Sequence, residues 1–151
     1  NDTLSVTEKV YELLKKKKNV RDFGSENYTS FKKFKNNSKF FFNLRPDKLA
    51  EELSKCHLVI SAGGQTLYEL AAMGVPSCCI LTSANQKFDC DGFISSKLSF
   101  SANLNSITSG TLINDLKKIK FVELKKMSKI CLKSMGKGQL LKTEIKKYLC
   151  I

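Results

Sequence analysis

The stretch with the clearest chemistry is Leu58-Val-Ile-Ser-Ala-Gly-Gly-Gln-Thr-Leu-Tyr-Glu69. An apolar run ends in two glycines, and a helix-forming run begins at once. Gly63 and Gly64 carry no Cβ, so a ligand can approach the backbone closely there. A helix starting at Gln65 or Thr66 offers unpaired N–H groups and the positive end of its dipole, which together favour an anion. Thr66 adds a hydroxyl, and a diphosphate is the natural guest. Glu69 follows about one turn into the helix. A carboxylate at that depth makes sense if it accepts hydrogen bonds from the adjacent hydroxyls of a ribose. The same residues also suit a plain strand-to-helix turn, with Glu69 favoured near a helix N-terminus. The Gly-x-Gly-x-x-Gly and Walker patterns are both absent, so spacing alone leaves the two readings open.

A second polar stretch, Thr82-Ser-Ala-Asn-Gln86, follows the next apolar run. Asn85 and Gln86 beyond a strand end can hold sugar hydroxyls or phosphate oxygens, or can simply form a turn. The six cysteines (56, 78, 79, 90, 131 and 150) have no C-x-x-C spacing, and His57 is the only histidine. That scatter predicts no metal site and a reducing, cytoplasmic compartment. Cys56 and His57 are adjacent, so in a strand they point to opposite faces, which argues against a catalytic pair.

The elements that must hold these residues alternate in period. Helices are predicted over 3–18, 28–36, 46–56, 66–73, 87–96, 108–119, 121–134 and 138–149. Strands are predicted over 19–23, 39–43, 57–61, 77–81 and 98–102. His57-Leu-Val-Ile-Ser61 has the continuous apolar centre of a parallel strand covered on both faces. Gly74 and Pro76 end the helix that begins near Thr66. This alternation predicts an α/β fold with a Rossmann-like, mostly parallel sheet flanked by helices. The chain opens on a helix where such domains normally open on a strand, which suggests the later part of a longer protein.

With 151 residues the chain suits a single domain able to build a core without metals or disulfides. Its 42% hydrophobic and 26% charged residues are globular values. No apolar run approaches the ~20 residues that cross a bilayer, so no integral membrane contact is expected. Lys plus Arg number 26 against 14 Asp plus Glu, a formal charge of +12 that favours an anionic partner. Only Arg21 and Arg45 are arginines. Base and phosphate readers usually favour Arg, so nucleic acid is not the expected partner.

Ile60-Ser-Ala-Gly-Gly-Gln-Thr-Leu-Tyr-Glu-Leu-Ala-Ala-Met-Gly-Val-Pro76, followed by Ala84-Asn85-Gln86, resembles the C-terminal half of GT-B-fold proteins related to MurG. The nearest resemblance is to the UDP-sugar hydrolases of the pseudaminic acid pathway and their spore-coat polysaccharide relatives. Asn1-Asp-Thr-Leu4 resembles the segment after that family's first strand, and Met135-Gly-Lys-Gly138 resembles its late Asp-Gly-Lys-Gly, with Met135 in place of the Asp. The resemblance implies one UDP-binding domain over residues 1–151, the C-terminal part of a two-domain enzyme whose first strand and N-terminal domain lie outside this sequence. It implies that Gly63, Gly64, Gln65 and Thr66 face the diphosphate and Glu69 holds the ribose. Asn85 and Gln86 would lie near the sugar or phosphates, and Asn43 and Leu44 would match the stretch that reads uracil. UDP or a UDP-sugar is then the ligand, no separate cofactor is needed, and the general base comes from the chain's own N-terminal domain. The implied reaction is release of UDP from a UDP-diacetamido-trideoxyhexose during surface-glycan synthesis. The alternatives are a glycosyltransferase of the same fold and a non-enzymatic module that binds anions or nucleic acid.

Overall fold

The computed structural model describes residues 6–14, 20–24 and 40–135. The predicted helices over 28–36 and 138–149, and the Gly136-Lys-Gly138 segment, lie outside the described residues. Within them the order is α1 (Val6–Leu14), β1 (Asp22–Gly24), β2 (Phe40–Phe42), α2 (Pro46–Ser54), β3 (Val59–Ala62) and α3 (Gln65–Ala72). Then follow β4 (Ser77–Ile80), a 3-10 turn (Ala84–Gln86), α4 (Lys87–Ser95), β5 (Phe100–Ala102), α5 (Leu104–Thr108), α6 (Leu112–Lys118) and α7 (Phe121–Met135).

Among the described residues all strand pairs are parallel, and the strands form two sheets, β1-β2 and β3-β4-β5. The fold is therefore mixed α/β, with a three-stranded parallel sheet between two helical layers. Side chains on β4 alternate between the layers, as the period of two requires. Cys78 and Ile80 join Ala102, Ile107 and Leu112 and the α1 residues Val6, Val10 and Leu13. Cys79 turns the other way, toward Leu67 and Ala71 of α3, Cys90 and Phe93 of α4, and Met127 and Cys131 of α7. The half-buried α1 residues Val10 and Leu13 recur at helical spacing beside Val6, so one stripe of α1 meets the sheet.

Turn chemistry closes α3. Gly74 N–H donates to the Ala71 carbonyl (3.0 Å) and Val75 N–H to the Leu70 carbonyl (2.9 Å), the Schellman pattern. Gly74 takes φ +70°, and Leu132 of α7 fills the place a side chain would need. Pro46 opens α2 at its first position, where a missing N–H costs nothing.

Two details differ from the periodicity. The helix predicted over 108–119 is α6, which starts only at Leu112, and a further short helix, α5, precedes it where the spacing predicts no element. Asn103 caps α5 by accepting from Asn105 N–H (2.9 Å), and Gly110 at φ +77° breaks the path into α6. The second difference is β3. Helices pack on both its faces, Leu49 and Leu53 of α2 beside Val59 and the α1 stripe beside Ile60, yet among the described strands it stands at a sheet edge, half-buried to exposed, while β4 is buried throughout. Among the described residues no helix is long and apolar enough to cross a membrane.

Candidate functional site

The candidate site is built at the carboxyl ends of β3 and β4. The two strands run in register from Val59↔Ser77 to Ala62↔Ile80. Gly63 N–H extends the ladder by donating to the Ile80 carbonyl (3.2 Å). The glycine bend and the loop after β4 therefore leave the sheet side by side, where parallel α/β sheets hold their ligands.

The two glycines have different jobs. Gly63 is buried, its N–H is spent on the sheet, and the place of its missing side chain is filled by protein. A Cβ there would stand 2.9 Å from Gln86 Cβ and would also run into Cys90 Sγ. Gly63 is thus a packing glycine that lets α4 and its preceding turn press against the bend. Gly64 is the open one. It caps α3 with φ +127° and ψ −155°, a region essentially confined to glycine. Among the described residues, no atom beyond its chain neighbours lies within 4 Å of a Cβ built on it. The Cβ direction of Gly64 is therefore open among the described residues, beside the exposed Gln65 and Thr66.

Glu69 is exposed, on the side of α3 away from the buried Leu67, Leu70 and Ala71. It follows Gln65 by four residues, so the two share a helix face about 6 Å apart along the axis. Gln86 is half-buried, and its Oε1 accepts from Thr82 Oγ1 (2.8 Å) and Thr82 N–H (3.3 Å). With the oxygen so engaged, the NH₂ is the donor end of this amide. Asn85 is exposed, and its Oδ1 accepts from the Ser83 hydroxyl. The structure thus brings Gly63, Gly64, Gln65, Thr66, Asn85 and Gln86 to neighbouring strand ends, with Glu69 one turn up α3. Asn43 and Leu44 follow β2, at the end of the other sheet. Asn43 takes φ +47°, a left-handed conformation that Asn tolerates better than most residues.

One bracing contact has no local sequence signal. The Tyr68 hydroxyl donates to Asp89 Oδ1 (2.8 Å), and its ring meets Phe93 edge-on at 4.8 Å between centroids. This pair ties α3, which carries Thr66 and Glu69, to α4, which follows Gln86. The bond to Asp89 holds the Tyr68 phenol above its ordinary range, because the neutral form is the donor.

Two clefts lie elsewhere. One of about 490 Å³ runs between α1 and α5, bordered by Glu12, Leu13, Ile107 and Gly110. Another of about 320 Å³ opens at the amino side of the sheet, bordered by His57, Gly74, Phe121 and Lys125. The bend at Gly64 opens on the surface instead. His57 sits at the strand's amino side, its ring 6.3 Å from that of Phe121. Burial pushes the Cys56 thiol up. Burial also pushes Cys78 and Cys90 up to about 12. These thiols are therefore poor nucleophiles near neutral pH. Among the described residues no group of three His, Cys, Asp or Glu side chains could hold a metal ion.

No known protein family, curated protein or solved structure matches this chain.

Proposed function

We propose that this chain is the UDP-binding half of a nucleotide-sugar hydrolase. The observation that carries the reading is Gly64, held in a glycine-only conformation at the head of α3 with its Cβ direction open among the described residues. In this reading the diphosphate rests there and receives N–H groups from the first turn of α3 together with the Thr66 hydroxyl. The positive helix end stabilises charge that builds on the departing UDP. Glu69 accepts from the ribose hydroxyls about one turn further along. The Gln86 amide, fixed by Thr82, and Asn85 face the sugar side. A general base from another domain activates the attacking water, and closure of that domain excludes bulk solvent. The sugar, on the resemblance given above, is a modified amino sugar. The +12 charge draws the dianionic ligand at long range.

Backbone amide spectra of the chain titrated with UDP test this directly. The expected result is saturable shifts at Gly64, Gln65 and Thr66, larger than those around His57 or Gly110. Shifts confined to either distant cleft, or none at millimolar UDP, contradict it. Incubating the full-length enzyme with a UDP-sugar and no acceptor then separates hydrolysis from transfer. The proposal expects UDP release without an acceptor, and strict acceptor dependence identifies a glycosyltransferase.

A further inference from the structure

The last two helices, α6 and α7, are strongly one-sided in charge. Residues 112–135 hold seven lysines against two acids, Asp115 and Glu123, and no arginine. Both acids are already engaged. Asp115 pairs with Lys118 (2.9 Å), and Glu123 Oε2 accepts from the Lys120 N–H (2.7 Å) at the head of α7. Other helices neutralise their lysines. In α2 and at its end, Lys48 and Lys55 pair with Glu51, and in α4 Lys87 pairs with Asp91. Among the described residues, no carboxylate forms an ion pair with Lys125, Lys126, Lys129 or Lys133 of α7.

Helix geometry gathers these four on one side. Met127 and Cys131 are buried, so they mark the stripe of α7 that meets the core. Val122, Lys126, Lys129 and Lys133 recur at helical spacing on the opposite side, with Lys125 next to them, and all five are exposed. Glu123 falls on a flank, so the outward face of α7 carries no acid. That face also has an apolar tip. At the first turn of α7, Phe121 is 58% and Val122 66% exposed, although both are side chains that normally seek a core. The Lys125 ammonium lies 4.8 Å from the centre of the Phe121 ring, so charge and apolar surface are interleaved.

The make-up of the face selects its partner. Lysine is a flexible point charge without the rigid fork of arginine, so this face suits a spread of negative charge better than one phosphate or base edge. A convex helix surface offers no groove along which a nucleic-acid strand could run. Phe121 and Val122 gain little from a sugar-phosphate backbone. They gain by entering the boundary between lipid headgroups and acyl chains, while lysines keep their ammonium groups at the headgroups. Clustered lysines on one helix are the usual charge pattern for an acidic leaflet.

We propose that the outward face of α7 docks the domain peripherally on an anionic lipid surface. Phe121 and Val122 enter the headgroup boundary, and Lys125, Lys126, Lys129 and Lys133 lie against acidic headgroups. Phe121 stands beside His57, at the amino side of β3, whereas the Gly64 bend lies at the carboxyl side. The docked tip and the candidate site thus occupy opposite ends of the sheet, and docking leaves the bend uncovered. This inference rests on charge and exposure, and it holds whatever ligand the bend takes.

Co-sedimentation tests this, with vesicles of equal parts phosphatidylcholine and phosphatidylglycerol beside vesicles of phosphatidylcholine alone. The expected result is binding to the anionic vesicles only, weakening as salt rises. Lys126→Gln, Lys129→Gln and Lys133→Gln together should weaken it at least about tenfold, at an unchanged unfolding temperature because all three are exposed. The chain has no tryptophan, so Val122→Trp supplies a single reporter at the tip. Its emission should shift to the blue on anionic vesicles. Phe88→Trp, at an exposed position of α4, should show no shift. A chain that ignores anionic vesicles overturns the proposal, and if single-stranded RNA then binds through the same lysines, the face belongs to nucleic acid. Equal vesicle binding by the triple variant also overturns it, as does an unshifted reporter at position 122.

Discussion

Gly63 lies directly against Gln86, so a Cβ on Gly63 would stand 2.9 Å from Gln86 Cβ. This contact couples the bend after β3 to the loop after β4 and sets the floor of the candidate site. Gly63→Ala must push that floor apart, because Gln86 Cβ is close to backbone and Cys90 Sγ is on a short, buried side chain. A loss of about 1–3 kcal/mol in urea unfolding is expected, the usual cost of overfilling a packed place. Cys90→Ala in the same chain should recover part of it, since Gln86 still obstructs.

Gly64 should respond differently. Among the described residues nothing beyond its chain neighbours lies within 4 Å of its built Cβ, so its cost is conformational. Gly64→Ala and Gly64→Ser should each lose about 1–3 kcal/mol, the range for a side chain forced into a region reserved for glycine. Near-equal losses in the two variants, read by urea unfolding, distinguish backbone strain from crowding. A much larger loss for Ser would show that the space is filled.

Tyr68 predicts an alkaline effect. Its bond to Asp89 raises the folded-state pKa above the ordinary 10.0. The stabilisation is complete below that unfolded value and is lost as pH rises through the folded value. Unfolding temperature should therefore fall between about pH 10 and the folded-state pKa, more steeply for the parent chain than for Tyr68→Phe. The variant keeps the ring on Phe93 and loses only the hydroxyl. Identical alkaline slopes would mean that the Asp89 bond does not form.

Much of this organisation was legible in the sequence. The apolar runs at Leu58–Ile60 and Ser77–Leu81 gave β3 and β4, and Gly74 with Pro76 gave the end of α3. The strand–glycine–helix order at Ala62–Gln65 also held. What stayed hidden depends on partners distant in the chain. The role of Gly63 is set by Gln86 and Cys90, and no local pattern names them. Tyr68 and Asp89 are 21 residues apart and belong to different helices. The edge position of β3 depends on which strands pair, and an apolar run reads the same at an edge as at a centre. The late start of α6 reflects Gly110, whose positive φ ends the turn after α5, while the helical spacing of Leu112 and Leu116 is the same on either account.

The most direct measurement is calorimetric titration of UDP into the parent chain and into Glu69→Ala. Glu69 is exposed and away from the core, so the variant should unfold at the parent temperature. The account predicts saturable binding to the parent and at least about tenfold weaker binding to the variant, as expected when a charged acceptor loses its ligand hydroxyls. Equal affinities would remove Glu69 from the site, and a parent chain that does not bind UDP would contradict the nucleotide reading itself.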